Sequence, residues 1–580
     1  MKKLVFLVSP YTSFEIEKFK RKKFNRAAPL SFPLGVLNLS STLKNSLDGY
    51  NEDNVKLVDF NYHNRGPSHE KIVEDAFKNV IEENDTGENY VFAITLMFSC
   101  SWEAFDLLVK IIRNKYPRST IVVGGVHATF AYKYILENTP TNYVIRGEAE
   151  ISLPELIKNL GNDENIKKIQ GVYDKNKAQN FPKEISTLLD LNEVPDPDYN
   201  MLKDKDEYFD YKSHVSVNTI GDYKNIKWAQ IITSRGCPFN CPYCAATMFS
   251  GKNVRYKPGD KLISEMRYLY ENYNVTGFIP EDDFFIGTKK RMQELLEIFK
   301  KANIPDMKLT FRNGVNVNTL TDEKLDILVA MGCNSVSIAI ESGSPYTQKH
   351  IIKKNVNLEK APKVIDQFRE KGVEVKTFVM IGLPGEKEEL REETIRYAEN
   401  INTDWCNIYL FYPVIGTTFY DEMLAEKEII DGPDTWSNLS PFSRDFDHMG
   451  KTSLEWEDIL MDADIRVNYA NNTNIKKGNY ERAFVYFNII RKHSSENIFA
   501  RICALLCADK SNMTNESTIL KNEIDKLIKN EKTYNYYLKF ENTLMQNSIF
   551  HKYKLLNFET IGFPIKSSAI LEKQFPVRDI

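Results

Sequence analysis

The chain has 580 residues, of which 42% are hydrophobic and 12% aromatic, and its formal net charge is −4. This length predicts three or four domains, and this composition is typical of globular rather than disordered proteins. The near-neutral charge excludes bulk attraction to nucleic acid or to an anionic membrane, and no run of 18 apolar residues predicts a membrane span.

Residues 1–160 alternate short apolar runs with longer amphipathic segments, which predicts a parallel, doubly wound α/β sheet. Only five apolar residues follow the Met-Lys-Lys start, so they predict a first buried strand rather than a signal peptide. The predicted strands are Leu4–Val8, Val55–Phe60, Tyr90–Met97, Thr120–Val123 and Tyr143–Ile145, and the predicted helices include Leu34–Leu47, His69–Glu83, Trp102–Lys115 and Ala131–Asn138.

Residues 161–225 have little periodicity, contain Pro195-Asp-Pro-Asp-Tyr199, and are predicted to be a linker. Residues 226–430 repeat strand then helix six times, which predicts a partial TIM-like (β/α)6 barrel with its chemistry at the carboxyl ends of the strands. The predicted strands are Ala229–Thr233, Gly277–Pro280, Lys308–Arg312, Ser335–Ile340, Glu374–Met380 and Cys406–Phe411, and the helices include Lys261–Glu271, Lys289–Lys300, Asp322–Met331, Ala361–Lys371 and Glu388–Asn400.

Three cysteines follow the first strand of this barrel in a C-x3-C-x2-C spacing, at Cys237, Cys241 and Cys244. A structural zinc site is usually closed by four ligands, and no His or Cys follows within about 80 residues to supply a fourth. A [4Fe-4S] cluster normally takes four cysteines, so three leave one iron open for a substrate or cofactor. A loop of buried or zinc-binding cysteines is the alternative.

With Tyr243 as the aromatic residue, the motif resembles the C-x3-C-x-aromatic-C signature of the radical S-adenosylmethionine (SAM) superfamily. The resemblance implies that the three cysteines hold a [4Fe-4S] cluster whose fourth iron chelates SAM. It also implies that an electron from the cluster cleaves SAM to methionine and a 5′-deoxyadenosyl radical.

Polar groups and a tight turn at the ends of the later barrel strands resemble SAM-binding positions of the same family. The resemblance implies an ammonium contact after strand two, a carboxylate contact from strand three, a ribose contact after strand four and an adenine contact after strand five. Surface acidic loops and ordinary turns are the alternative. The predicted SAM-binding residues are Tyr243, Glu281, Asp282, Arg312, Glu341, Ser342 and Gly382.

The strand ends of residues 1–160 resemble the cobalamin-binding domain that precedes the radical domain in cobalamin-dependent radical SAM enzymes. The segments concerned are Thr95-Leu-Met-Phe-Ser99, Gly124-Gly-Val-His-Ala-Thr129 and Arg146-Gly-Glu148. Glycines let a backbone approach a long nucleotide tail, and a hydroxyl can bond a buried base. The implied cobalamin contacts are Thr95, Met97, Ser99, Gly124, Gly125, Val126, His127, Arg146, Gly147 and Glu148.

One family feature is missing, the Asp-x-His-x-x-Gly segment that supplies a lower axial histidine to cobalt. Residues 48–53 read Asp-Gly-Tyr-Asn-Glu-Asp and contain no histidine, and the similar segment Asn61–Gly66 follows the second strand instead of the first. We therefore expect cobalamin to be held without a protein histidine. His127 is expected to be a turn or tail-contacting histidine rather than a metal ligand.

Residues 431–580 are Lys- and Asn-rich and predict a helical region. The resemblance to cobalamin-dependent radical SAM enzymes implies that this region helps to close the substrate cavity. Residues Lys477–Ala483 resemble one tetratricopeptide unit, but no convincing second copy follows, so a helical cap is expected rather than a peptide-binding array. Cys503 and Cys507 are expected to be core residues.

Together these features predict a cobalamin-dependent radical SAM enzyme. The favoured function is a C-methyltransferase that acts on an unactivated carbon of a natural-product or peptide substrate, through the 5′-deoxyadenosyl radical and methylcobalamin. The first alternative is a non-methylating enzyme of the same type, which performs cyclisation, oxygen insertion or rearrangement. A methylthiotransferase would need a second cysteine triplet, whereas Cys100 stands alone before the motif. The last alternative is a non-enzymatic cobalamin-binding protein.

No catalytic acid or base can be assigned, although Tyr412, Glu386 and Asp404 are candidate pocket residues. The expected partners are a small-molecule or peptide substrate and a flavodoxin- or ferredoxin-like reductant, without nucleic acid or membrane. Eight cysteines, three of them in a cluster motif, suit a reducing cytoplasm better than a disulfide framework.

Overall fold

The structure is a computed structural model of the chain. Most of the predicted helix His69–Glu83 lies outside the described residues, as do residues 64–66 and the side chain of His63. The described residues are 2–9, 32–63, 73, 75–78, 80–81, 87–180, 185–210, 225–437, 439–440, 443–444 and 447–554.

The amino-terminal sheet has six strands in the order β2-β1-β3-β4-β5-β6. The first five are parallel, and β6 pairs antiparallel with β5. This confirms the predicted doubly wound sheet and adds one edge strand from the segment predicted as a linker. The strands are β1 (Lys3–Val8), β2 (Val55–Asp59), β3 (Tyr90–Thr95), β4 (Thr120–Gly124), β5 (Tyr143–Ile145) and β6 (Val172–Tyr173).

Both faces of this sheet are buried, because alternate residues of each central strand enter different cores. In β1, Leu4 and Phe6 belong to one core and Val5 and Leu7 to the other. Burial on both faces explains why these strands read as continuous apolar runs. The helices of this half are Leu34–Ser46, Phe60–His63, Trp102–Lys115, Val126–Asn138, Ser152–Lys158, Asp163–Lys168 and Lys175–Asn180, with a 3₁₀ turn at Ser99–Ser101.

The second sheet has six parallel strands in the order β14-β13-β12-β11-β10-β7, which confirms the predicted partial barrel. A short antiparallel hairpin, β8 with β9, follows β7. The strands are β7 (Lys227–Ile231), β8 (Ser234–Arg235), β9 (Arg255–Tyr256), β10 (Val275–Pro280), β11 (Lys308–Val315), β12 (Cys333–Glu341), β13 (Glu374–Ile381) and β14 (Trp405–Leu410).

Helices on the outside of this sheet follow its strands, as the predicted barrel requires. Glu388–Asn400 has the predicted bounds, and the other predicted helices differ by one or two residues at their ends. The helices are Ala246–Ser250, Gly259–Tyr273, Lys289–Ala302, Asp322–Ala330, Lys360–Glu370, Glu388–Asn400 and Thr418–Ala425, with a 3₁₀ turn at Val317–Thr319 and a π-helical turn at Thr347–Ile351.

The segment predicted as a linker connects the two halves through polar contacts. Asp198 accepts hydrogen bonds from Ser40 and Lys44 of the first half, both at 2.7 Å. On the barrel side, Lys257 lies 2.9 Å from the carboxylate of Asp196, and the Tyr199 hydroxyl donates to Glu265 at 2.7 Å. The 3₁₀ turn Tyr199–Met201 and the helix Lys205–Phe209 complete this segment.

The carboxy-terminal region is helical, as predicted. Its core is formed by Cys503, Cys507 and other buried residues, which confirms the expected core position of both cysteines. The elements are the helices Pro433–Trp436, Ser453–Asp464, Thr473–Lys476, Tyr480–His493, Ile498–Lys510, Thr514–Leu527 and Glu531–Met545, the π-helical turn Ile465–Ala470, the 3₁₀ turn Ser548–Tyr553 and the hairpin β15 (Leu439–Ser440) with β16 (Ser443–Arg444).

These helices contact the amino-terminal ends of the last barrel strands. Arg482 donates to Asp404, just before β14, at 2.6 and 2.7 Å. Tyr486 donates to Glu374, the first residue of β13. The helix Ser453–Asp464 reaches their carboxyl ends, where Trp456 packs on Ile381 and Leu410, and Ile459 and Leu460 pack against the same cluster. The role of this region as a substrate cap stays a prediction.

None of the described helices is both long enough and apolar enough to cross a membrane.

The turn after β4 brings two stretches of backbone into close contact. Gly125 has a φ of 108°, and a Cβ on it would lie 2.6 Å from the carbonyl oxygen of Leu96. The N–H of Leu96 donates to the carbonyl oxygen of Gly124 at 2.7 Å, so the two strand ends are bonded directly. Gly125 is therefore required by both its backbone conformation and its neighbour.

We expect Gly125→Ala to destabilise the amino-terminal half more than Gly161→Ala does. Gly161 also has a positive φ of 93°, but a Cβ there meets no atom within 4 Å. Left-handed backbone alone costs about 1–2 kcal/mol, and Gly125→Ala adds the displacement of Leu96. Thermal unfolding by differential scanning calorimetry measures both variants, and equal melting temperatures would contradict the steric argument.

Candidate active site

The cysteine motif lies on a loop between β8 and the helix Ala246–Ser250, beyond the carboxyl end of β7. Cys237 and Cys241 are partly buried, Cys244 is exposed, and all three are free thiols. The N–H of Cys237 donates to the carbonyl oxygen of Gly251 at 3.1 Å, and the N–H of Gly236 donates to Asp283 at 3.2 Å. The first cysteine of the loop is thus anchored at its backbone.

The three thiols fit an iron–sulfur cluster better than a single metal ion. Within the described residues, no group of three or more His, Cys, Asp and Glu side chains can hold one metal ion. Ligands of a cluster bind different irons, so they need not converge on one point. Burial raises the pKa of the two partly buried thiols, those of Cys237 and Cys241. The thiolate is the form that binds metal, so a bound cation must stabilise the thiolate over the protonated thiol.

Asp282 holds the start of this loop in place. Its carboxylate accepts hydrogen bonds from the N–H and hydroxyl of Thr233, at 2.7 and 2.5 Å, and from the Ser234 hydroxyl at 2.7 Å. Burial raises the pKa of Asp282 to about 6. Both oxygens are used within the protein, so the structure supports a loop-positioning role, and the predicted contact with SAM stays a prediction.

Glu281, which follows β10, and Arg312, which lies within the neighbouring strand β11, form an ion pair. Arg312 Nε donates to Glu281 Oε1 at 2.9 Å, and the amide groups of Gln230 and Asn313 donate to the same carboxylate, each at 2.7 Å. The two side chains keep 20% and 25% of their surface exposed. A polar ligand can therefore reach both charges from solvent.

A second ion pair, Glu341 with Lys354, lies beside the cysteines. Lys354 Nζ is 2.6 Å from Glu341 Oε1, and the side chains are only 10% and 8% exposed. The Lys354 charge opposes the burial that raises the pKa of Cys237 and Cys241. Burial raises the pKa of the Tyr243 hydroxyl, and the negative charge of Glu341 raises it further. This hydroxyl therefore stays protonated at neutral pH. The sequence analysis missed Lys354, since no spacing rule connects it to the motif.

Other residues predicted to line the site form hydrogen bonds or ion pairs within the protein, at the ends of its strands. Ser342 Oγ lies 2.8 Å from Thr394 Oγ1, and the Gly382 N–H donates to Glu386 Oε2 at 2.7 Å. Asp404 lies at the amino-terminal end of β14, bound to Arg369 and Arg482. The interpretation of Glu386 and Asp404 as pocket residues therefore has no support from the contacts. The roles of Ser342 and Gly382 toward SAM stay predictions.

The carboxyl edge of the amino-terminal sheet presents an apolar surface. Met97 is 41% exposed and Phe98 is 45% exposed, directly after β3. Beside them, a Cβ on Gly124 would meet only one atom, at 3.8 Å. Exposed apolar side chains next to open backbone fit a large, partly apolar cofactor such as cobalamin. Phe98 was not among the predicted contacts.

His127 lies in an aromatic cluster rather than on this exposed edge. It is 1% exposed, and its Nδ1 lies 3.0 Å from Ser99 Oγ. Its ring meets Trp436 edge to face, with centroids 4.8 Å apart, and the ring of Trp102 packs against both, 4.9 Å from Trp436 and 6.0 Å from His127. Burial lowers the pKa of His127 to about 3, so the imidazole is neutral. The predicted contact with the cobalamin tail stays a prediction.

The Arg146-Gly147-Glu148 turn also makes contacts within the protein. Arg146 Nε donates to the carbonyl oxygen of Thr129 at 2.8 Å, and its guanidinium stacks on Tyr132 at 4.3 Å. The Gly147 N–H donates to Thr129 Oγ1 at 3.0 Å. Arg146 and Glu148 are buried, and the predicted contacts of this turn with cobalamin stay predictions. Thr95, Gly124 and Val126 are half-buried at that edge.

Glu148, Glu150, Arg235 and Arg255 form an ion cluster between the two halves. Arg255 is 2.7 Å from Glu148, and Arg235 is 2.7 Å from Glu150 and 3.5 Å from Glu148. All four side chains are at most 16% exposed. The two arginines pair across the β8–β9 hairpin, on either side of the cysteine loop. The cluster therefore joins the end of β5 to that loop.

Two protein families match this chain in the order of its two sheets. The B12 binding domain matches residues 26–157, and the Radical SAM superfamily matches residues 231–398. The chain therefore has a B12-binding domain followed by a radical SAM domain. These domains imply cobalamin, a [4Fe-4S] cluster and SAM as cofactors, and the free cysteines and the apolar sheet edge fit them.

The curated relatives include two methyltransferases. An uncharacterized methyltransferase of Pyrococcus horikoshii is 26% identical over 402 residues, which are 69% of this chain and 80% of that protein. The cytidylyl-2-hydroxyethylphosphonate methyltransferase of Streptomyces wedmorensis is 25% identical over 408 residues, which are 61% of this chain and 74% of that protein.

A solved structure has the same fold over nearly the whole chain. The cobalamin-dependent S-adenosylmethionine radical enzyme OxsB, with aqua-cobalamin and SAM bound, superposes with a TM-score of 0.54 at 16% identity. The match covers 95% of this chain and 84% of that one, and at this identity it shows the fold alone.

We expect Glu150→Gln to loosen the joint between the two halves. Arg235 is 13% exposed and loses the closer of its two carboxylate partners, at 2.7 Å, and keeps only Glu148 at 3.5 Å, so the variant should be about 3 kcal/mol less stable. The control is Glu88→Gln at the exposed pair with Arg118, whose side chains are 63% and 69% exposed, where the loss should stay below about 1 kcal/mol. Denaturant unfolding and limited proteolysis measure both variants. A Glu150→Gln variant as stable as the control would show that the cluster does not hold the halves together.

Proposed function

We propose that this chain, a B12-binding domain followed by a radical SAM domain, is a C-methyltransferase for an unactivated carbon of a natural-product or peptide substrate. The proposal rests chiefly on the ion cluster that holds the cysteine loop beside the carboxyl edge of the B12-binding sheet. That arrangement supports two cofactor sites that share one space. The methyltransferase names of the relatives support the choice of reaction.

When bound, the cluster and SAM supply a 5′-deoxyadenosyl radical that takes a hydrogen atom from the substrate, and cobalamin carries the methyl group to be transferred. The protein's own part is to bind and orient these groups and to exclude water. Cys237, Cys241 and Cys244 would hold the cluster, and three cysteine ligands would leave one iron free for SAM.

Two ion pairs are suited to the charged end of SAM. SAM carries an ammonium and a carboxylate on one carbon, and the Glu281–Arg312 and Glu341–Lys354 pairs each offer one acid and one base. A carboxylate accepts from the ammonium, and the cation donates to the carboxylate, in charge-assisted hydrogen bonds. Lys354 has the closer electrostatic link to the cysteines, so we assign it the carboxylate of SAM in place of Arg312.

The aromatic residues at the end of β14 supply no general base. Burial raises the pKa of both Tyr409 and Tyr412 to about 12. Their hydroxyls therefore stay protonated at neutral pH and can donate hydrogen bonds to a substrate. A neutral, partly apolar surrounding suits hydrogen-atom abstraction, which moves no net charge.

We expect the anaerobically purified protein, with reconstituted cluster and cobalamin, to convert SAM to both S-adenosylhomocysteine and 5′-deoxyadenosine. Mass spectrometry measures both products. Cys241→Ala should abolish 5′-deoxyadenosine because the cluster loses one ligand, whereas Cys333→Ala, a buried cysteine of β12, should keep it. Formation of 5′-deoxyadenosine without S-adenosylhomocysteine would replace methyl transfer by the non-methylating alternative.

We expect Lys354→Met to raise the dissociation constant of SAM about tenfold, the effect of losing one charge-assisted hydrogen bond. Isothermal titration of SAM into the cluster-loaded protein measures it. Lys324→Met is the control, because Lys324 donates to the carbonyl oxygens of Gly287 and Thr319, at 2.7 and 2.9 Å, and contacts no predicted SAM residue among the described ones. An unchanged affinity in Lys354→Met would return the carboxylate contact to Arg312.

A further inference from the structure

The residues that follow the last barrel strand pack on the amino-terminal half of the chain. We call residues 411–437, which begin directly after β14, the exit segment. Its side chains share a buried core with Val5 and Leu7 of β1, and they include Phe411, Ile415, Phe419, Tyr420, Met423 and Trp436. The exit segment therefore completes the core of the B12-binding domain from the far end of the barrel.

The exit segment also touches the cysteine loop. At Gly416 it passes so close to the helix Val126–Asn138 that a Cβ would lie 2.3 Å from the ring of Phe130. Three residues later, the N–H of Phe419 donates to the carbonyl oxygen of Pro242, within the cysteine motif, at 3.0 Å. One segment is therefore in contact with both parts of the chain that serve cofactors.

Trp436 is the point at which the exit segment covers the B12-binding half. It is fully buried, and its Nε1–H donates to the Tyr420 hydroxyl at 2.8 Å. That hydroxyl in turn donates to the carboxylate of Asp431 at 2.6 Å. The indole ring meets the imidazole of His127 edge to face, with centroids 4.8 Å apart. The Tyr420 hydroxyl therefore holds the ring that packs on His127.

His127 connects this indole to the exposed edge of the sheet. Its Nδ1 lies 3.0 Å from Ser99 Oγ, and Ser99 directly follows the exposed Phe98. Its Nε2 is buried and has no hydrogen-bond partner in the described part of the chain. Aromatic faces carry negative charge and favour an N–H over a lone pair. The one proton of the neutral imidazole is therefore assigned to Nε2, and Nδ1 accepts from the Ser99 hydroxyl.

We propose that the exit segment is a positioning element of the cobalamin site, which acts on Ser99 through Trp436 and His127. Because its hydrogen is directed to His127, the Ser99 hydroxyl meets the cofactor as an acceptor. Its bonding partner is an amide N–H on a side chain of the corrin ring, and not the nucleotide base. The inference rests on the cobalamin cofactor of the proposed function and not on methyl transfer.

The test measures the affinity of the cluster-loaded protein for two probes by isothermal titration. Hydroxocobalamin is one, and cobinamide, which keeps the corrin amides but lacks the nucleotide base, is the other. Tyr420→Phe removes the hydroxyl that holds the indole and changes no residue of the exposed sheet edge. It should weaken both probes about threefold, and Ser99→Ala should weaken both about fivefold, the effect of one neutral hydrogen bond.

The double variant Ser99→Ala/Tyr420→Phe tests whether Tyr420 acts through Ser99. Once the Ser99 hydroxyl is absent, Tyr420→Phe should cause no further loss of affinity, so the two losses should not add. His127→Asn keeps a side-chain acceptor near the position of Nδ1 and should bind both probes more tightly than His127→Phe. This second pair of variants serves if Tyr420→Phe does not fold.

The matched control is Tyr553→Phe, at another buried tyrosine whose hydroxyl donates to a carboxylate, that of Asp509 at 2.9 Å. It should change neither affinity. Unchanged affinity in Tyr420→Phe, additive losses in the double variant, or equal affinity of the two His127 variants would overturn the proposal. Weaker binding of cobalamin alone would also overturn it, because Ser99 would then contact the nucleotide base. These affinities need no turnover, so a failure of methyl transfer is seen separately.

Discussion

The mutual arrangement of the two cofactor sites depends on four buried charges, those of Glu148, Glu150, Arg235 and Arg255. The two negative and two positive charges neutralise one another, which offsets the free-energy cost of removing them from water. Loss of any one of the four leaves an uncompensated buried charge. The acids follow the last parallel strand of the B12-binding sheet, and the bases bracket the cysteine loop. This joint therefore fixes the end of β5 to the hairpin that flanks the cysteine loop.

The segment Pro195–Tyr199 provides a second, separate joint. It carries alternating acids, of which Asp198 binds the first half and Asp196 binds Lys257 of the barrel. The two polar joints are neighbours, because Pro195, Lys257 and Arg235 line the same cavity, and together they resist separation of the halves. A site between two domains needs such constraint, because a misplacement of about 1 Å can cost a large factor in rate.

The elements and the cysteine loop could be predicted because their signals are local: apolar periodicity and fixed spacing along the chain. Trp102–Lys115 and Glu388–Asn400 agree with prediction to the residue. The partners of the strand-end residues could not be predicted in this way. Glu148 was expected to face a ligand, yet it binds Arg255, 107 positions away. Lys354 approaches the cysteines through a turn that no motif describes, and His127 is covered by Trp436 from beyond the barrel.

The packing of Trp436 against Trp102 and His127 also bears on how the chain folds during synthesis. The B12-binding half leaves the ribosome first, but the tryptophan that covers its aromatic surface is made some 300 residues later. Until then the surface of Trp102, His127 and Tyr134 is exposed to solvent and to other chains. A fragment that ends before Trp436 keeps this aromatic surface exposed. A chain cut at the end of the barrel is therefore prone to aggregate.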